Sequence, residues 1–260
     1  MEVLEEKLLS FPSNSRKYLA IGYFLRIIPI GNIVGSALIP IGWFKIKNWG
    51  KNTPYDLAFI GSIITLIILI YSSFIGGANL LPGTQSVPQI QITGQETVSE
   101  LKEKIIPYLQ QLVDLMRNPS SYIPPLIMGL GIMLESFGVR RLSRDTSNVV
   151  SKYLFILMIL LAFLTMLSSP ATLYSAQNLE KLIPQVESAE TLDDITSILS
   201  IGLLSALIPV LIVSGLTFII GLITYIMLGY KIWKIEEHVK RIKLLSEVEE
   251  EEKPSEELLI

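Results

Sequence analysis

The sequence predicts an all-α fold: a polytopic helical membrane protein with about five transmembrane helices and with external and cytoplasmic amphipathic helices. Three observations predict it. Of 260 residues, 50% are hydrophobic and the mean hydropathy is +0.51, too apolar for an ordinary soluble domain. The apolar residues gather in runs near residues 27–46, 57–75, 123–139, 149–167 and 205–230, and a bilayer core of about 30 Å takes about 20 apolar residues per helix. The short links between runs are basic and the long ones are not, which is the asymmetry of a cytoplasmic face.

The chain divides into a tail (1–17), a transmembrane domain (18–230) and a cytoplasmic amphipathic helix with an acidic tail (231–260). In the first tail, Glu2, Glu5 and Glu6 stand where a secretory signal is basic, so the first span is expected to stay as an anchor. Leu4, Leu8 and Phe11 fall near helical spacing. Residues 18–46 are longer than one span needs and are punctuated by Gly22, Pro29, Gly31, Gly35, Pro40 and Gly42. Length favours one kinked, tilted helix with its core at 27–46 and Arg26 snorkelling to the outer interface. Arg16 and Lys17 favour the other reading, a re-entrant pair that leaves both ends inside. The single span is the preferred expectation. Lys45, Lys47 and Lys51 follow, flanked by Trp43 and Trp49, which are expected at headgroup level.

Residues 57–75 form an uncharged second span, and residues 76–122 an external segment. Residues 77–94 are a Gly-, Pro-, Gln- and Thr-rich loop. A helix follows, opened by the capping box Thr97–Glu100. Val98, Leu101, Ile105, Tyr108, Leu112 and Met116 share one of its faces, and Pro107 should kink it. Residues 123–139 and 149–167 make a transmembrane hairpin joined by a basic link with Arg140, Arg141 and Arg144; Pro124-Pro125 mark its start. Residues 170–194 form a second external segment, acidic through Glu180, Glu187, Glu190, Asp193 and Asp194 against Lys181.

The last run, 195–232, is too long for one perpendicular span, so its part before Pro209 is expected to bend or project. Beyond it, Ile232, Ile235, Val239, Ile242 and Leu245 form an apolar stripe beside Lys231, Lys234, Lys240, Arg241 and Lys243. This helix is expected along the inner leaflet, with a coiled-coil continuation of the last span as the competing outcome. The Glu-rich end, residues 247–257, is expected to be disordered.

The three short links carry eleven Lys and Arg: Lys45, Lys47 and Lys51; Arg140, Arg141 and Arg144; Lys231, Lys234, Lys240, Arg241 and Lys243. The two long links carry four: Lys102, Lys104, Arg117 and Lys181. This places the C-terminus in the cytoplasm of a multi-pass protein of the cell membrane. With a single crossing by residues 18–46, the N-terminus is outside. A weak parallel repeat is visible. Gly42, Gly138 and Gly229 each precede basic residues at similar intervals, 138 − 42 = 96 and 229 − 138 = 91. Glu103-Lys104-Ile105-Ile106-Pro107 matches Glu180-Lys181-Leu182-Ile183-Pro184.

The run Ile30-Gly31-Asn32-Ile33-Val34-Gly35, then Ile41-Gly42-Trp43-Phe44-Lys45, then Trp49-Gly50-Lys51 before an apolar span, resembles the start of an uncharacterised archaeal membrane family, the domain of unknown function numbered 996. The resemblance covers residues 18–70. It implies an archaeal, multi-pass membrane protein and no activity.

No Cys is present and His238 is the one His. This excludes disulfides, thiolate metal sites, Cys nucleophiles and bis-His haem ligation. No nucleophile elbow or phosphate loop appears. The expectation is therefore no enzyme, no cofactor and no metal site. The formal charge of −3 gives no pull toward nucleic acid. The expected partners are the lipid bilayer and a membrane-protein partner or second copy. Glu135 is the one acid within an expected span, a functional candidate by default; Arg140 and Arg141 stand close enough in sequence to neutralise it locally. Arg26 is assigned to the outer headgroups, with a partner acid as the alternative. Asn32 and Asn79 are candidates for hydrogen bonds between helices. Gly35 with Ala37, and Gly129 with Gly131, offer small surfaces for close approach.

The leading functional expectation is a non-catalytic accessory or scaffold protein, because three amphipathic stripes need a lipid surface or a partner. The alternative is a small ion or solute transporter or channel, oligomeric and using Glu135.

Overall fold

The computed structural model describes residues 9–28, 31–76 and 96–251, with the side chains of 75, 76, 243 and 245–251 outside the described set. The 77–94 loop with Asn79, the tail positions Leu4 and Leu8, the end beyond Glu251, and the side chains of Lys243 and Leu245 therefore lie outside the described residues. Among the described residues all regular structure is helical. The α-helices are α1 (Ser13–Arg26), α2 (Gly31–Gly50), α3 (Thr53–Tyr71), α4 (Val98–Arg117), α5 (Pro119–Asp145), α6 (Tyr153–Ser188), α7 (Leu192–Ser197) and α8 (Leu204–Glu251). Two π-helical stretches, Ser72–Gly76 and Ile198–Leu203, follow α3 and precede α8. Four stretches are long and apolar enough to cross a membrane: Thr53–Phe74, Val98–Asp145, Tyr153–Ser188 and Leu192–Ile242. This is compatible with a multi-pass membrane protein.

The helices contribute to two compact units. The first gathers Met1–Leu66, Gly131–Ile159 and Gly221–Ile260; the second gathers Ile67–Leu130 and Leu160–Ile220.

In the first unit, α1 and α2 lie back to back as an antiparallel pair. A Cβ on Gly35 would stand 2.5 Å from the Gly22 carbonyl, and one on Gly42 would stand 2.5 Å from Leu19. Only glycine allows backbones this close. The preferred sequence reading, one continuous helix through residues 18–46, does not hold: α1 ends at Arg26 and α2 runs back along it. Trp43, expected at headgroup level, is fully buried within the unit. Helix α5 meets α3 through the same device, a Cβ on Gly61 falling 2.4 Å from the Gly131 carbonyl.

The transmembrane hairpin is longer than its apolar runs. Helix α5 continues to Asp145, so Arg140, Arg141 and Arg144 ride on its last turns instead of forming a link. The chain reverses through Ser147 and Asn148, at φ of 50° and 65°. Asn tolerates this left-handed region better than most residues. The amide of Asn148 caps the Ser143 carbonyl at 2.8 Å. Helix α8 is continuous from Leu204 to Glu251. Ile232, Ile235 and Val239 of the stripe expected along the inner leaflet are buried within the protein, as is Leu228 one turn before them, and Gly229 lies against Ala20 and Phe24 of α1. The first residues of the acidic end, through Glu251, are helical, contrary to the expected disorder there.

In the second unit, residues 170–188 are not a separate segment. They extend α6 through Ser188 despite Pro170 and Pro184. Buried Ala171, Ser175, Ala176, Leu179, Leu182 and Val186 keep helical spacing, and the acidic residues Glu180 and Glu187 fall on the exposed face. Helix α4 packs here. Leu101, Ile105, Leu109 and Val113 of α4 join Leu179, Leu182, Val186, Ala189, Ile195 and Ala206 in one apolar core. The α4 face is rotated from the one predicted, since Leu109 and Val113 are enclosed while Tyr108 is half-buried. The Thr97–Glu100 capping box is formed, and a second one, Thr191–Asp194, opens α7. Each gives two otherwise orphaned N–H groups a partner. Arg117 pairs with Glu180 through Nη1 and Nη2, and Lys102 donates to the Glu187 carbonyl at 2.8 Å.

Candidate functional site

The site is a cluster of polar side chains enclosed in the first unit. Glu135 occupies α5 one turn beyond Gly131, beside the close crossing with α3, where a Cβ on Gly61 would stand 2.8 Å from the Glu135 amide nitrogen. Tyr23 and Arg26, three apart on α1, share a face. Ser36 and Trp43, seven apart on α2, also share one. Tyr225 comes from α8.

Glu135 is fully enclosed, and the Arg26 side chain is 3% exposed. Arg26 Nη1 donates to Glu135 Oε2 at 3.3 Å. The Tyr23 hydroxyl donates to Glu135 Oε1 in a short hydrogen bond. Trp43 Nε1 reaches both that oxygen and the Tyr23 hydroxyl, at 3.3 Å each. Arg26 Nε donates to Ser36 Oγ at 3.2 Å, and Ser36 in turn donates to Asn32 Oδ1 at 3.4 Å. The guanidinium lies 5.3 Å from the Tyr225 ring centre and 5.9 Å from that of Tyr23. Arg26 Nη2 is buried without a hydrogen-bond partner in the protein.

A buried carboxylate and guanidinium each carry a large desolvation penalty, which their mutual attraction and further hydrogen bonds offset. Here the acid has three donors and the base has one acid, one hydroxyl and an aromatic face. The cluster therefore ties α1, α2 and α5 together through one neutralised pair. Among the described residues no group of three or more His, Asp or Glu could hold a metal ion.

Two of the sequence-based pairings are overturned. Arg26 does not reach outer headgroups, because it is buried against Glu135. Glu135 is not neutralised by Arg140 or Arg141. Arg141 is one turn from Asp145 and binds it, Nη2 to Oδ1 at 3.2 Å, and Arg140 lies 5.1 Å from the centre of the Phe155 ring. Asp145 also accepts from the Tyr55 hydroxyl at 2.8 Å, making a smaller enclosed cluster. Of the paired small surfaces, Gly35 meets α1, Gly131 meets α3 and Gly129 meets Met166 of α6, while Ala37 is exposed.

The remaining basic residues are dispersed. Lys45 stands over Tyr18 at 4.7 Å. Lys47 pairs with Asp56 at 3.0 Å. Lys234 pairs with Glu237, and Lys240 with Glu236 at 3.2 Å. Lys51, Arg144 and Arg241 are exposed and Lys231 is half-buried. Sequence reading missed Tyr23, Ser36, Trp43, Tyr55, Asp145 and Tyr225. The available signal was polar-tipped aromatic residues falling on the glycine-lined faces of α1 and α2.

The chain matches no known protein-family model, no curated protein and no solved structure.

Proposed function

We propose that the protein is a non-catalytic membrane protein that works by helix association, as an accessory subunit or scaffold. The three stripes that suggested this in the sequence are largely covered within the chain, so the support comes from elsewhere. The carrying observation is the last span. The most apolar window of Leu192–Ile242 has a mean hydropathy of 2.6 and is 11% buried, against 44% for the window in Val98–Asp145 and 39% for that in Tyr153–Ser188. Gly215 sits on this span with nothing within 4 Å of where a Cβ would be. By contrast, Gly22, Gly35, Gly42, Gly61 and Gly131 at the α1–α2 and α3–α5 crossings each meet a neighbouring backbone. A small residue in a lipid-facing helix is where another helix can approach closely. Native-expression protein extracted in mild detergent should contain more than one chain per particle, and Gly215→Ile should release single chains. A single chain in the unsubstituted particle would sink this reading.

The same reading takes four crossings, α3, α5, α6 and α8, with α1 and α2 as a re-entrant pair. Exposed Ile21, Phe24, Ile33, Val34, Ile41 and Phe44 on that pair suit lipid. The positive-inside asymmetry then puts both ends in the cytoplasm. The chain has no native Cys, so a single Ser188→Cys substitution reports sidedness. Its labelling from outside is expected, and labelling only after the cytoplasmic face is opened would reverse the topology.

A second reading, a small transporter or channel using Glu135, is favoured by one observation: the buried Nη2 of Arg26 that lacks a protein partner. It requires flux in proteoliposomes that Glu135→Gln abolishes while the fold persists.

A further inference from the structure

The second unit holds a cavity of about 410 Å3 bounded by α3, α5, α6 and α8, within the size range of small-ligand sites. Its polar lining is unusual in being almost entirely hydroxyl, and no charged side chain contributes to it. The hydroxyl hydrogens are largely committed. Thr165 donates to the Leu161 carbonyl, Ser168 to Thr165 and Thr217 to Val213, each at 2.7 Å. Ser121 donates to the Leu115 carbonyl at 2.6 Å and Ser120 to Asn118 Oδ1 at 2.8 Å. What these groups keep available is oxygen lone pairs.

Pro124 and Pro125, also in the lining, add to this. Neither has an N–H, so the carbonyls of Ser120 and Ser121 lose the donors that a helix would supply four residues on. The wall is thus mostly apolar and neutral, and the polar groups set into it are acceptors more than donors. It suits a ligand that brings a few hydroxyl donors, an apolar body and no net charge, since an unpaired ion in such a site is strongly disfavoured. At the rim stand exposed Ser214 and Phe218 of α8, with Leu211 exposed on the same helix. The apolar part of the lining therefore continues out of the cavity along α8.

We propose that this cavity binds the polyol headgroup of an uncharged membrane lipid, a glycerol or hexose headgroup, with its acyl chains along the exposed face of α8. The lipid source is favoured over a free polyol by that apolar surface at the rim. The association reading rests on Gly215, which shares the α8 face of Leu211 and Phe218, and the two are told apart by their tests: Gly215→Ile acts on the number of chains per particle and the cavity variants act on lipid retention.

The test is native mass spectrometry of the full chain in mixed micelles holding equal amounts of monoglucosyl dioleoylglycerol and phosphatidylcholine. The expected result is one tightly retained glucolipid per chain, unaffected by added free glucose. Replacing Thr165 and Thr217 together by Val removes two acceptors at nearly constant volume and should weaken retention by about fivefold per hydroxyl. Ser214→Trp, at an exposed position, should block retention without touching the packed helices. Equal retention of both lipids, displacement by free glucose, or undiminished glucolipid binding in both variants would overturn the proposal.

Discussion

The enclosed side chains of the first unit include Arg26, Glu135 and Asp145 together with Tyr23, Trp43 and Tyr55. The core of the second unit is Leu, Ile, Val and Ala, and its interhelical ion pair, Arg117 with Glu180, has side chains 45% and 51% exposed. Both regions hold helices together, but by different physics. In the second unit each apolar side chain contributes by leaving water, so the loss of any one is graded. In the first unit the glycines at Gly22, Gly35, Gly61 and Gly131 bring backbones into contact, and the charges are tolerable only as a pair. Removing one partner there leaves an enclosed charge with no way to reach solvent.

This contrast orders the expected effects of substitution. The largest belongs to Glu135→Leu, which strands the Arg26 guanidinium and should cost about 3–5 kcal/mol, read as a fall in melting temperature in detergent. In the second unit, Leu109→Ala should cost about 3 kcal/mol through lost burial and a residual cavity. If its cost is near zero, that core is not shielded from water by packing as described. Thr97→Ala, which opens the α4 capping box, should cost about 1 kcal/mol. Arg117→Ala removes a half-exposed ion pair and should stay within about 1 kcal/mol of the parent. An Arg117 effect as large as that of Glu135 would erase the distinction between the two units.

Local chemistry was legible in the sequence, and long-range pairing was not. The Thr97–Glu100 box is a three-residue pattern with its own geometry, so it could be read directly. Glu135 stood out because it is an acid inside an apolar run. Its partner was misread because Arg140 and Arg141 are near in sequence, whereas Arg26 lies 109 positions away. Spacing alone argued against that local pair: Arg140 and Arg141 are five and six residues from Glu135, past the three or four that share a helix face. Arg141 and Asp145, four apart, do meet that condition and do pair. The extension of α6 through Ser188 was hidden by its acidic residues, which made a solvated helix face look like a link. The fold-back of α1 on α2 was one of two readings that the glycines allowed. Length favoured the wrong one because a long run with small residues can kink or return equally well.

The central claim is that Arg26 and Glu135 act as one enclosed pair that holds the first unit together. A double-mutant cycle on unfolding in detergent tests it most directly, using Arg26→Met, Glu135→Leu and the double variant. The account predicts that each single variant is strongly destabilised and that the double recovers most of the loss, because neither charge is then left unpaired. Additive losses, with the double variant the least stable of the three, would contradict it.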